Sequence, residues 1–211
     1  MAVNYGPSVS TNGLLFYVDA ANLRSYSGSG STWFDLSGNN RSLTISGTPT
    51  FASPGSLTFN GTQQLSAVSL DNPNNAMTVQ IVMNYTNTGA YHNLFDRTTS
   101  TPMFWIRPTG LIELNASASV APISYSGQII VATATFSTST PGIQLFINGE
   151  LVQTTSAGQV AWPNPFTITM LNRAGSSRFV GTLYSIAFYN RLLTSNEIKT
   201  NFNAIRGRFG I

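Results

Sequence analysis

"GTLYSIAFYNRLLTSNEIKTNFNAIRG", residues 181–207, contains the change of pattern on which the fold reading turns. A strand-like run with aromatic residues gives way within a few positions to a capped helix. Thr194 followed three residues later by Glu197 forms a capping box, which satisfies two otherwise orphaned backbone donors. Ile198, Phe202 and Ile205 fall at i, i+4 and i+7 on one face. Gly207 is placed to take a left-handed position at the C-terminus. The pattern predicts a short helix near 194–206 that lies against the body of the protein.

Upstream, strand signals dominate. "MTVQIVMNY" puts Met77, Val79, Ile81, Met83 and Tyr85 on one face at period two, the pattern of a half-buried strand. "PMFWIRP", "LIELNA", "IIVATATF" and "FTITML" are further short runs rich in β-branched and aromatic residues, closed by turn residues. Trp105 in the first of these is expected in the core. In "IQLFINGELVQT", Asn148-Gly149 supplies the two positive φ angles of a type I′ hairpin turn. Residues 25–42, "SYSGSGSTWFDLSGNNRS", read as an ordered surface loop that Gly28 and Gly30 loosen and Trp33, Phe34 and Leu36 anchor. Turn signals recur with no long helical pattern between them, so an all-β antiparallel sandwich is expected, ending in one short helix. Residues 1–12 read as an N-terminal arm and residues 13–211 as the sandwich domain with its helix.

The 211 residues suffice for one large β domain with a self-sufficient core. There is no cysteine, so thiolate chemistry and disulfide scaffolding are excluded. Only 8% of residues are charged, against a usual ~25%, so the polar surface must be mostly Asn, Ser, Thr, Gln and backbone. The net charge of +3 arises at the C-terminus, where Arg191, Lys199, Arg206 and Arg208 face Glu197 alone. Two readings fit: a solvated helix end whose cations complement the macrodipole, or a docking contact with an acidic partner. Four dispersed cations are too few for a nucleic-acid footprint. No stretch approaches the ~20 apolar residues of a membrane span, and Met1 to Asn12 lacks the form of a secretory signal.

"GLLFYVDAANLRSYSGSGSTWFDLSGNN", "GSLTFNGTQQL", "GIQLFINGELV" and "GTLYSIAFYNRLLTSNEI" follow one another in an order that resembles concanavalin A-like (laminin-G-like) lectin/glucanase sandwiches. The likeness spans roughly residues 13–205, and it implies a jelly roll closed by the helix just described. The N-terminal half looks like the variety frequent in virion proteins of tailed bacteriophages. The sequence departs from the family where acids are common: Asn60-Gly61-Thr62-Gln63-Gln64 carries amides, and the last strand reads Leu183-Tyr184-Ser185-Ile186. Calcium favours charged carboxylates among its oxygen ligands, so no metal and no cofactor is expected.

Catalysis is not expected. The glucanases that the chain resembles place carboxylates close together on one strand, whereas no two of the seven acids here lie closer than sixteen residues. His92, the single histidine, sits near Asp96 without a nucleophile-elbow pattern. Sugar binding needs an aromatic face beside hydrogen-bonding side chains. Trp162 and Asn164 in "QVAWPNPF", and Tyr91 and His92 in "GAYHNLFD", are the candidates. The termini are the candidate attachment surface: Val3, Tyr5 and Val9 in the arm, and Arg206, Arg208, Phe209 and Ile211 after the helix, because aromatic and Arg residues are enriched at interface hot spots.

The resemblance and the absences together lead to an expected structural protein of a phage particle, a capsid decoration or a tail or fibre component. It would be made in the host cytoplasm and carried on the virion beside other virion proteins, with copies of itself as further neighbours. The alternative is an adhesin or receptor-binding module for cell-surface glycans, and the third reading is a glycan hydrolase.

Overall fold

The computed structural model describes residues 9–72, 74–97, 101–115, 119–156, 164–171 and 177–211. Two antiparallel sheets face each other. The first runs, edge to edge, through β14 (Glu150–Thr155), β13 (Ile143–Ile147), β12 (Ile130–Ser137), β7 (Ala76–Tyr85), β16 (Val180–Tyr189), β5 (Ser56–Asn60) and β4 (Thr50–Ala52). Strand β1 (Leu14–Asp19) joins it on the same side of β16 as β5. β16 therefore gives one edge to β7 and divides the other: Val180–Leu183 pairs with β5, and the Ser185–Tyr189 half pairs with β1. The second sheet runs β11 (Ser119–Ser124), β10 (Leu111–Leu114), β9 (Thr101–Ile106), β8 (His92–Arg97), β15 (Phe166–Met170), β6 (Gln64–Leu70), β3 (Leu43–Ser46) and β2 (Thr32–Trp33).

The inner faces meet in one apolar core. At its centre Phe95 of the second sheet lies edge-on to Phe188 and Phe136 of the first, with ring centroids 5.4 and 6.3 Å apart. Such edge-to-face geometry suits the ring quadrupoles.

The helix α1 (Ser195–Ile205) starts as the sequence requires: Thr194 Oγ1 accepts from Glu197 N at 3.2 Å, and Glu197 Oε2 accepts from Thr194 N at 2.9 Å. It lies across the outer face of the first sheet. Ile198 packs with Phe146, Ala187 and Tyr189, and Phe202 packs with Val82 and Val131. That cover changes the reading of β7. Besides the expected Met77, Val79, Ile81, Met83 and Tyr85, its opposite face is also buried at Thr78, Gln80 and Val82. Thr78 bridges the segment entering the helix, donating to Arg191 O at 2.8 Å and accepting from Leu193 N at 2.9 Å.

The Asn148-Gly149 turn adopts the predicted positive φ values, 52° and 80°. Glycine serves a second purpose there, because a Cβ would lie 2.9 Å from Lys199 Cδ and 3.2 Å from Phe202 Cβ. Gly207 departs from expectation: a 3-10 turn, Arg206–Arg208, continues the helix, and the left-handed glycine is Gly210 at φ 67°. Trp33 anchors its loop fully buried, whereas Phe34 is 52% exposed. No described helix is long and apolar enough to cross a membrane.

Candidate functional site

Alternation along the ends of β9 and β10 sorts two sets of side chains. Phe104, Ile106, Ile112 and Leu114 enter the core, and the residues between them face outward. Strand register then aligns three outward positions directly: Asn93 opposite Trp105, and Trp105 opposite Glu113. Trp105 is thus buried, yet on the outer face of the second sheet and outside the core expected for it.

Around that row the groups are held in place. Trp105 Nε1 donates to Asp96 Oδ1 at 3.1 Å. Arg107 Nε donates to Glu113 Oε2, and that bond raises the guanidinium further above its ordinary value. The Tyr91 ring stands edge-on to the Trp105 indole, 5.1 Å between centroids and 74° between planes, and is 41% exposed. The Asn93 side chain is fully buried, and neither its amide nitrogen nor its oxygen has a partner among the described residues. The exposed Tyr91 ring, backed by Trp105 and with the Arg107–Glu113 pair on the same face, can stack on the apolar face of a sugar ring. The two carboxylates on this face, Asp96 and Glu113, each accept from a donor, the Trp105 indole and the Arg107 guanidinium.

The other expected site residues are placed differently. His92 is 1% exposed. Its Nδ1 accepts from Val180 N at 3.1 Å, which assigns the ring proton to Nε2 for donation to Thr88 Oγ1 at 2.8 Å. Burial lowers its pKa. His92 therefore ties the start of β8 to β16 as a neutral ring and presents no face to solvent, which corrects its assignment as a sugar contact. Asn164 is exposed, and its Oδ1 accepts from Asn72 N at 2.9 Å. It precedes the end of β15 that runs toward Arg97, while Tyr91 precedes His92 at the far end of β8, so the two are not brought together. Trp162, Val3 and Tyr5 lie outside the described residues.

The chain end is docked on the sandwich. Arg208 Nη1 donates to Asp19 Oδ2 at 2.7 Å and Nη2 to Gly55 O at 3.3 Å. Phe209 meets Tyr184 edge-on at 4.9 Å, and Ile211 joins the apolar cluster of Phe202. Arg206 stays exposed with its guanidinium 5.8 Å from the Phe202 ring. Three of the four C-terminal attachment candidates are thus occupied intramolecularly. Val9 is half-buried; beside it Ser10 N donates to Asn201 Oδ1 at 2.8 Å, and Arg191 Nε donates to Asn12 O at 3.0 Å. The amides standing where acids are common close a turn: Gln63 Oε1 accepts from Asn60 N, and Gln63 Nε2 donates to Thr48 O. Among the described residues no three acids and histidines gather as a metal site.

Asn93, Asp96, Trp105, Arg107 and Glu113 were not singled out as a face from the sequence. The alternation in "MFWIRP" and "LIEL" does place Trp105 and Glu113 opposite the core residues, but only strand register shows that they are neighbours.

Fold and face together define a lectin-like sandwich. The chain belongs to the concanavalin A-like lectin/glucanases superfamily, whose family model matches residues 57–199. Among solved structures it is similar to Trypanosoma rangeli sialidase in complex with sialic acid, with TM-score 0.65, 15% identity, and coverage of 93% of this chain and 34% of the sialidase. It is also similar to the binding domain of Botulinum Neurotoxin DC in complex with SialylT, with TM-score 0.65, 11% identity, and coverage of 93% and 52%. A further receptor binding domain gives TM-score 0.66, 12% identity, and coverage of 92% and 51%. The chain spans between a third and about half of the length of these structures, and at such identities the likeness concerns the fold, which enzymes and binding domains share. No curated protein matches the sequence.

Proposed function

We propose that this chain is a non-catalytic recognition module that binds cell-surface glycans on the outer face of its second sheet. The observation that carries the reading is Tyr91, exposed and braced edge-on by Trp105, beside the Arg107–Glu113 pair. A pyranose laid on the Tyr91 ring would bury apolar C–H surface, while its hydroxyls meet charged groups already oriented by each other. A glycan array with the wild-type chain and Tyr91→Ala tests this. Binding to at least one glycan class, weakened tenfold or more by the substitution without loss of melting temperature, is expected. An array with no bound glycan, or equal binding by the variant, overturns it. No turnover of β-glucans is expected; turnover abolished by Asp96→Asn or Glu113→Gln would instead make the chain a hydrolase.

A second reading places this module on a phage particle, as capsid decoration or as part of a tail or fibre. What supports it is the resemblance of residues 13–40 to the variety frequent in phage virion proteins. With Arg208, Phe209 and Ile211 packed on the sandwich, attachment in this reading falls to the arm, where Val3, Tyr5 and Val9 are the apolar groups. Imaging of intact particles locates the polypeptide, and a chain lacking residues 1–10 is expected to assemble on them poorly.

A further inference from the structure

We infer that the cleft between the 26–30 loop and the 47–51 turn is a second binding site, separate from the Tyr91 face, for a neutral, hydroxyl-rich ligand about one sugar ring in size. The cleft encloses about 320 Å³, near the lower end of small-molecule sites, which run from roughly 300 to 1,000 Å³. One wall is aromatic: Tyr26 and Phe51 pack with centroids 5.5 Å apart at 48°. The Tyr26 hydroxyl donates to Gly30 O at 3.0 Å, which fixes the loop over its own ring. The opposite wall is held by Gln63, buried to 4% exposure, whose Nε2 donates to Thr48 O at 3.2 Å. Both walls are therefore built before any ligand arrives.

The chemistry of the lining is what selects the ligand. No lining residue carries a charge. An ionic ligand would have to surrender its hydration without a counter-charge, at a cost that neutral hydroxyls avoid. What the lining does offer is hydrogen-bonding groups. The Ser29 and Thr48 hydroxyls and the N–H groups of Gly28, Ser29 and Gly30 have no partner among the described residues. Gly28 and Gly30 both hold φ at 94°, which favours glycine, and a Cβ at Gly28 would lie 3.3 Å from the Phe51 ring and narrow the cleft. Aromatic surface on one side and free hydroxyls and amides on the other is the pattern that a pyranose satisfies. The Gln63 amide bears on this from behind the lining, because it pins Thr48 without bringing a charge.

The test is a heteronuclear NMR titration of the isotopically labelled full chain with methyl glycosides of glucose, galactose and N-acetylglucosamine, and with glucuronate. Shift changes at the amides of Gly28, Ser29, Gly30 and Thr48, saturating in the millimolar range, are expected for at least one neutral glycoside. Glucuronate, which has the glucose ring with one charge added, should bind at least tenfold more weakly than the best of them. Ser29→Trp, at an exposed position, should fill the cleft and abolish these shifts while the rest of the spectrum persists; Thr48→Val should weaken them without blocking entry. Tyr91→Ala should leave them unchanged, so this site can fail or stand independently of the outer face. The inference is overturned if none of the three glycosides moves these amides, if the shifts survive Ser29→Trp, or if glucuronate binds as well as the neutral probes.

Discussion

On the outside of the first sheet, Val82 and Val131 lie beneath Phe202, with Ile205, Phe209 and Ile211 packed around them. On β8, β9 and β10 of the second sheet the outward positions are Asn93, Trp105 and Glu113. One outer face is covered by the chain's own helix and tail, and apolar side chains let it behave as a second core. The other keeps polar groups whose burial is tolerable only with partners, and Asn93 has none among the described residues. The contrast is one of chemistry: one outer face is sealed by apolar side chains of the helix and tail, and the other buries polar groups, with Tyr91 exposed at its end.

The comparison is most exposed to Phe202→Ala. Removing a buried Phe costs about 3–5 kcal/mol, so urea unfolding should show a loss in that range. A loss under about 1 kcal/mol would mean that the helix covers the sheet without stabilising it. Arg208→Ala should cost less, about 1–3 kcal/mol, because it deprives the largely buried Asp19 carboxylate of its charged partner. A neutral result there would return the tail to the role of a free attachment segment.

Acid titration gives a smaller effect and resolves two windows. Bidentate donation from Arg191, with the Thr194 N–H, holds the Glu197 carboxyl at about 2, below its ordinary 4.5. The unfolded chain therefore takes that proton first, and the contribution to stability is present above about pH 4.5 and lost as pH falls through about 2. Burial likewise depresses His92 below 6.5, so its contribution is present above pH 6.5 and declines as pH falls below that value. Glu197→Gln should flatten the lower window alone, and His92→Asn, which retains an acceptor for Val180 N, the upper one. The smallest expected change is at the other face: Tyr91→Ala should alter unfolding by less than about 0.5 kcal/mol. A larger loss would show that Tyr91 serves packing rather than recognition.

Features carried by local signals were legible in the sequence. The Thr194–Glu197 box and the Asn148-Gly149 turn depend on residues a few positions apart, and both form as read. The second buried face of β7 was not legible, since its cover comes from residues more than a hundred positions later. Gly207 misled because the tail finds tertiary partners at Asp19 and Tyr184 that carry the chain past the expected stop. The "DLSGNNR" stretch was conspicuous, yet its task appears only in three dimensions. Asp35 Oδ1 accepts from Tyr17 N, Leu36 N donates to Tyr17 O, and Asn39 and Arg41 donate to Leu15 O, so the loop serves β1 as a neighbouring strand would. At the candidate face, Tyr91 could be picked out as a loop aromatic, whereas the Asn93–Trp105–Glu113 row required register.

The position of β16 has a consequence for the order of events during synthesis. Among the described residues this strand is the sole sheet partner of β1, and it joins β5 to β7. Before it emerges from the ribosome, the strands of the first sheet form separate groups: β14 to β7 on one side, β5 with β4 on the other, and β1 alone. At about 5–20 residues per second, β1 waits on the order of ten seconds or more for the strand that will hold it. Closure of the first sheet therefore depends on the segment of the sandwich made last, which pairs with β1, β5 and β7 and carries the helix that covers the outer face.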